Sequence, residues 1–270
     1  MYKPILFALL FSVLLLSCKR GSESQESTQA VAPAQIVERS PAALRQTYTQ
    51  RMALRKTPLP LKQEKSAGRL NPVDEAPLDT AFFVFREDLL DIVAKKDAHR
   101  LLAYVDPHIK CGFGAENGLP DFVRQWNLDA PEKVAGSPLW QQLEDVLQRG
   151  GIFGPGRQNF QAPWYAATFP ETEDALESAV INAREVRMRE GPGLTGKVIQ
   201  NVSFEIVTVL ERAEQEETIE GRTYPWFKIK TRSGKEGWVY GRFIGLPAGY
   251  RAVFEPLGNK WRMTSFLSGD

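Results

Sequence analysis

The chain has 270 residues, 43% hydrophobic and 10% aromatic, with 34 Lys and Arg against 33 Asp and Glu for a formal net charge of +1. That is an ordinary supply of core material for a globular protein, and the balanced charge removes the electrostatic reason to expect nucleic acid or a polyanionic wall polymer as the main partner. Two cysteines and two histidines are too few for a disulfide framework or a transition-metal site.

The chain opens with Lys3, an apolar run from Ile5 to Leu16 broken only by Ser12, then Ser17 and Cys18, which is the order of a secretory signal. The run is about 12 residues against the roughly 20 a helix needs to cross a bilayer, so residues 1–17 read as a cleaved leader and not a permanent span. The segment Leu15-Leu16-Ser17-Cys18 resembles the lipobox of bacterial lipoproteins. The resemblance implies that Cys18 is lipidated on its thiol and becomes the first residue of the mature protein, with a lipid anchor in a membrane of the cell envelope. Two or three acyl chains hold a protein stably where one does so only marginally. An ordinary signal with a chance cysteine is the competing reading. Lys19 stands where lipoproteins of enteric-type bacteria carry an aspartate for inner-membrane retention, which leans the expected location toward the periplasmic face of the outer membrane. With Cys18 lipidated, Cys111 has no partner for an intramolecular disulfide.

Residues 18–75 are rich in Ser, Gln, Ala, Pro and charges and read as a lipidated flexible linker, unable to bury enough apolar surface alone. Within it, Ser40 is placed to cap a marginal helix from Pro41 to Lys56 carrying Leu44, Tyr48 and Met52 at helical spacing. The first domain is expected over 76–176 and starts helical. Phe82, Phe85, Leu89, Ile92 and Val93 form one stripe, and Asp97 caps a second helix with Leu101, Leu102 and Val105 that Asp106-Pro107 stops. A short strand is expected from Ile109 to Phe113, and helical spacing returns at Leu119, Phe122, Val123 and Trp126. The clearest helix has Ser137 as cap, Pro138 in its first turn, Leu139, Leu143, Val146 and Leu147 inward, and Gly150-Gly151 as its stop. Phe160 to Phe169 reads as extended.

From Val180 to Gly245 the pattern changes to period two, with strands expected at Val198-Ile199, Phe204–Leu210, Trp226–Lys230 and Gly237–Tyr240. Val186-Arg187-Met188-Arg189-Glu190-Gly191-Pro192, then Lys197-Val198-Ile199, Trp226-Phe227-Lys228-Ile229 and Gly234-Lys235-Glu236-Gly237-Trp238-Val239-Tyr240 together resemble the bacterial SH3-like (SH3b) family in order and spacing. The resemblance implies a small β-barrel over 180–245 and a binding role. Glu211 to Gly221 departs from it as a lengthened acidic hairpin loop. The helix pair, the Lys96-Asp97 turn and the Gly-containing strand before Leu119 also resemble, more weakly, the start of cone-shaped domains similar to nuclear transport factor two. Such domains need a curved sheet, and the C-terminal segment 246–270 supplies a hairpin from Tyr250–Phe254 and Trp261–Phe266 about a Leu257-Gly258-Asn259 turn. The fold class is therefore α+β: a mostly helical first domain, an inserted SH3-like β-barrel, and a C-terminal β-hairpin that returns to the first domain.

No catalytic constellation emerges. His108 and Cys111 lie on opposite faces of a strand without an orienting acid, so a buried thiol and a surface imidazole are the plainer reading, and His99 reads as solvent-facing. The acidic runs Glu171–Glu177 and Glu211–Glu220 lack the spacing and glycine of a calcium loop and read as solvated loops. Phe160, Pro163, Trp164 and Tyr165 are expected to pack over the helices. Trp226 and Trp238 read as half core. The ligand-binding candidates are Tyr224, Trp238, Tyr240 and Phe243, because aromatics supply contact area at small entropic cost. The expected function is a non-enzymatic module that binds peptidoglycan or a peptide of an envelope protein, with no cofactor or metal. The rivals are an assembly protein whose helical domain binds the partner, and an enzyme with a pocket in the first domain.

Overall fold

The structure is a computed structural model that describes residue 36 and residues 38–269. The signal expected over 1–17 and the lipidation expected at Cys18 lie outside the described residues.

Helix α1 (Pro41–Leu54) starts as its sequence proposes, with the Ser40 hydroxyl accepting from the Ala43 N–H and Pro41 in the first turn. It is not free. Leu44, Tyr48 and Met52 pack against the main core, the Tyr48 hydroxyl donates to Pro77 O at 3.0 Å, and Arg51 pairs with Asp91. Strands β1 (Lys65–Ser66) and β2 (Arg69–Leu70) form a small hairpin, after which Leu70, Val73 and Asp74 are buried. The flexible linker expected through residue 75 thus gives way, for 38–75, to a strap folded onto the body. Composition limits what a segment can bury by itself, and this one uses apolar surface that its neighbours supply.

Helices α2 (Thr80–Ala94) and α3 (Ala98–Tyr104) are capped by Asp79 and Asp97, with Lys96 at positive φ in the turn between them. Strand β3 (Val105–Lys110) starts directly after α3, earlier than expected and including Asp106-Pro107. It lies at the edge of its sheet, where a proline's missing N–H is tolerated. After α4 (Leu119–Gln125) and the single turn α5 (Pro131–Val134) comes α6 (Leu139–Gln148), whose buried Leu139, Trp140, Leu143, Val146 and Leu147 make one face. Ser137 accepts from the Leu139 N–H and donates to Trp126 O, tying α6 to the end of α4. Strands β4 (Ile152–Phe153) and β5 (Phe160–Ala162) follow. The extended stretch expected to Phe169 ends at Pro163, and α7 (Trp164–Ala167) replaces it.

The barrel strands are β6 (Ser178–Ile181), β7 (Val186–Arg189), β8 (Val198–Val202), β9 (Ile206–Ile219), β10 (Arg222–Lys230), β11 (Glu236–Tyr240) and β12 (Ile244–Gly245), in the order β12-β6-β9-β10-β11-β7-β8. The curled sheet closes over Ile181, Val186, Met188, Val207, Ile229 and Val239. Gly237 is required in the Gly-Trp-Val strand because an added Cβ would meet Met188 Cγ at 2.7 Å and Arg189 O at 2.8 Å. Glu211–Gly221 is not a loop. It continues β9 and turns at Glu220-Gly221, both at positive φ, into β10.

The last two strands, β13 (Arg251–Leu257) and β14 (Lys260–Leu267), form the expected hairpin and return to the first domain, in a five-stranded sheet of order β3-β14-β13-β5-β4. Phe82 of α2 sits at its centre, with the rings of Phe85, Phe153, Phe160, Phe254 and Trp261 at centroid distances of 4.2 to 5.9 Å. Trp164 and Tyr165 do not cover the helices. They join Leu70, Val73, Val180 and Ile206 in a separate core that welds the barrel to the body.

Between the two cores, Asp74 is 0% exposed and Arg86 1%. Their side chains form two parallel hydrogen bonds of 2.6 and 2.8 Å, and Arg55 adds a third contact at 3.0 Å. Burial pushes the Asp74 carboxyl up, but the charges and hydrogen bonds of Arg86 and Arg55 outweigh it and hold the group below its ordinary value. A carboxylate lowered in the folded state stabilises fully above the unfolded value, about 3.9, and loses that contribution as pH falls through the folded value. Asp74→Asn, which strands a buried guanidinium, should cost about 3–5 kcal/mol in urea melts at neutral pH. Below about pH 4 the gap between variant and wild type should narrow.

Candidate functional site

Strands β10 and β11 place Trp226 opposite Tyr240, with ring centroids 5.5 Å apart, and the Phe243 ring follows at 6.5 Å from Tyr240. Tyr240 is only 4% exposed. Its hydroxyl lies 2.5 Å from Arg222 O and 2.8 Å from Glu217 O, and burial pushes it up from its ordinary value. The Trp226 indole N–H donates to the Glu217 carboxylate at 2.6 Å. Both polar tips are therefore satisfied, and at 4% exposure each the two rings form a buried backing beneath the surface. With Val186, Ile219 and Leu194 they line a groove of about 310 Å³ on the barrel surface, rimmed by Arg184, Arg187 and Arg242. Phe243, half-buried on the turn after β11, is one wall of it.

The four candidates from sequence separate. Tyr240 and Phe243 come together in this groove, joined by Trp226, which sequence reasoning assigned to half-core duty. Tyr240 supplies a buried floor, where a surface position was expected. Trp238, half-buried on β11 opposite Lys228 and Arg189, lines neither this groove nor the cleft described next. Tyr224 packs edge-on against Tyr240, ring centroids 5.5 Å apart, but lines a separate cleft and not this groove. The alternation of exposed Arg187 between buried Val186 and Met188 was the one local signal for the rim.

That cleft, of about 510 Å³, lies between α6 and the β9–β10 hairpin. The Tyr224 hydroxyl donates to Asp145, Arg222 pairs with Glu144 at 2.5 Å, Gln141 donates to Thr223 O at 3.1 Å, and Arg149 donates to Arg242 O at 3.0 Å. These contacts brace the hairpin against the first domain. The cleft's charges are mutually paired, Arg149 with Asp145 and Arg212 with Glu216.

Elsewhere, His108 and His99 are exposed. Cys111 is buried, and burial pushes its thiol up, away from the reactive thiolate. Among the described residues no group of three or more His, Cys, Asp or Glu is placed to hold a metal ion, and no helix is long and apolar enough to cross a membrane.

Residues 184–245 match the family model of the bacterial SH3 domain. The matched segment contains the whole aromatic floor and the arginine rim. Neither the curated proteins nor the solved structures contain a match to the chain.

Tyr224 yields a test of the brace. Burial, and then the hydrogen bond to Asp145, push its hydroxyl well above the ordinary tyrosine value. Tyr224→Phe should cost about 1.5–3 kcal/mol in urea melts near neutral pH, the range for a hydrogen bond to a charged group. A group raised in the folded state stabilises below its unfolded value, about 10, and loses that contribution as pH rises beyond it. The difference between wild type and variant should therefore shrink above about pH 10.

Proposed function

We propose, from the bacterial SH3 domain at residues 184–245, that this is a non-enzymatic binding protein of the cell envelope, anchored by lipid on Cys18, whose barrel groove holds peptidoglycan or a peptide of an envelope partner. Bacterial SH3 domains are typically binding modules, cell-wall binding among their roles. The observation that carries the reading is the open groove on the matched domain, with Trp226 and Tyr240 fixed as a floor by their own hydrogen bonds and Phe243 beside them. Leu194, Ile219 and Phe243, held on that rigid backing, give contact area without a large ordering cost.

The anchor is supported by the leader-like residues 1–17 and the Leu15-Leu16-Ser17-Cys18 segment, and Lys19 supports the outer membrane over the inner. The first domain, as a cone of the nuclear-transport-factor-two kind, serves as the mount. Because residues 38–75 are folded onto the body, the stretch from Cys18 to Glu38 sets the reach, which cannot exceed about 70 Å even when fully extended.

Purified wild-type protein should pellet with isolated sacculi, and Phe243→Ala should weaken that binding by about tenfold, equivalent to about 1.4 kcal/mol. Wild-type protein that stays in the supernatant would remove the peptidoglycan version and leave the partner-peptide version, to be sought by crosslinking in intact cells. Radiolabelled palmitate should enter the wild-type chain and not Cys18→Ser.

A further inference from the structure

The groove is lined by four arginines, 184, 187, 189 and 242, and two glutamates, 185 and 220, in a chain whose net charge is only +1. The glutamates are engaged. Glu185 accepts from the Asn201 amide at 3.1 Å and the Ser203 hydroxyl at 3.4 Å, and Glu220 pairs with Arg242 at 3.1 Å. Arg189 is also committed, buried with one guanidinium nitrogen donating to Gly196 O at 2.6 Å. Two cations remain. Arg184 is exposed and lies over the Phe204 ring at 5.2 Å, and exposed Arg187 has no side-chain hydrogen bond or salt bridge among the described residues.

Each free guanidinium offers a planar pair of donors that matches the two oxygens of a carboxylate. Beside them the groove presents exposed Leu194 and half-buried Ile219 and Phe243, which reward a ligand with apolar bulk and give nothing to a hydrated polyanion. We propose that the groove selects a peptide segment in which carboxylates alternate with apolar groups. The proposal rests on the reading of the groove as the ligand site and names the ligand's charge. A chain of phosphates would satisfy the arginines and leave Leu194, Ile219 and Phe243 unused.

The test is calorimetric titration of the purified full-length protein with three probes: a capped pentapeptide alternating leucine and glutamate, its leucine and glutamine counterpart, and inorganic tripolyphosphate. The glutamate peptide should bind about tenfold more tightly than the glutamine peptide in about 50 mM salt, with most of that preference lost at about 500 mM. Arg184→Gln with Arg187→Gln, both exposed and so expected to keep the fold by circular dichroism, should erase the preference. The proposal is overturned if the glutamine peptide binds as well, if neither peptide binds, if the double variant keeps the preference, or if tripolyphosphate binds as tightly as the glutamate peptide. Sacculi that pellet wild type and double variant equally would sink this inference while sparing the proposed function. Sacculi that pellet neither, together with silent peptides, would count against both.

Discussion

The arrangement of the molecule turns on an aspartate that has no contact with water. Asp74 keeps its charge only because Arg86 meets both of its oxygens and Arg55 meets one of them; Arg55 belongs to the strap, Asp74 to the strap's last residues, which cross between the two cores, and Arg86 to α2. A buried pair of this type adds little net stability over an apolar substitute, yet it strongly disfavours any packing that separates its members. The crossing segment carries Leu70 and Val73 into the core shared with the barrel and Ala76 into the core of the first domain. Gly150, at the end of α6, is pressed against the same segment, since an added Cβ would lie 2.6 Å from Val73 O. Displacing Asp74 would loosen the strap, the end of α6 and the seat of the barrel together.

What could be read from sequence was what neighbouring residues decide. The α6 stripe with its terminal glycine, the caps Ser40 and Asp97, and the Gly-Trp-Val strand all carry their reasons within a few residues. The return of the hairpin was legible for a different reason, because the helices of the first domain lacked the strands to cover them. The docking of residues 38–75 was not legible, since what holds it, Asp88, Asp91 and Pro77 O, lies far along the chain from the groups it binds. Nor was the extension of β9, where both faces are polar and exposed, so that no period-two apolar pattern marks a strand.

The candidate site shows the same division. That aromatics cluster on the barrel follows from composition and spacing. Which of them share a groove depends on the strand face and on the hydrogen bonds that hide Tyr240 and Trp226 tip-first. The long hairpin decides the outcome, because Ile219 and Glu220 near its turn wall the groove while Thr223 and Tyr224 fasten its other side to α6. An extension that would have endangered a groove as a mobile loop instead stiffens it as paired strands.

The insertion of the barrel also orders events as the chain emerges from synthesis. All seven barrel strands lie between residues 178 and 245, and entry and exit meet where Val180 pairs with Gly245. The sheet of the first domain, by contrast, pairs Val105 with Met263 and Phe160 with Phe254. A polypeptide delivered N-terminus first completes the inner module while Phe82 and Phe160 still await Phe254 and Trp261. Until the final strands arrive, the first domain is a half-open shell of aromatic surface beside a barrel whose strands are all present, and surface of that kind is prone to aggregation.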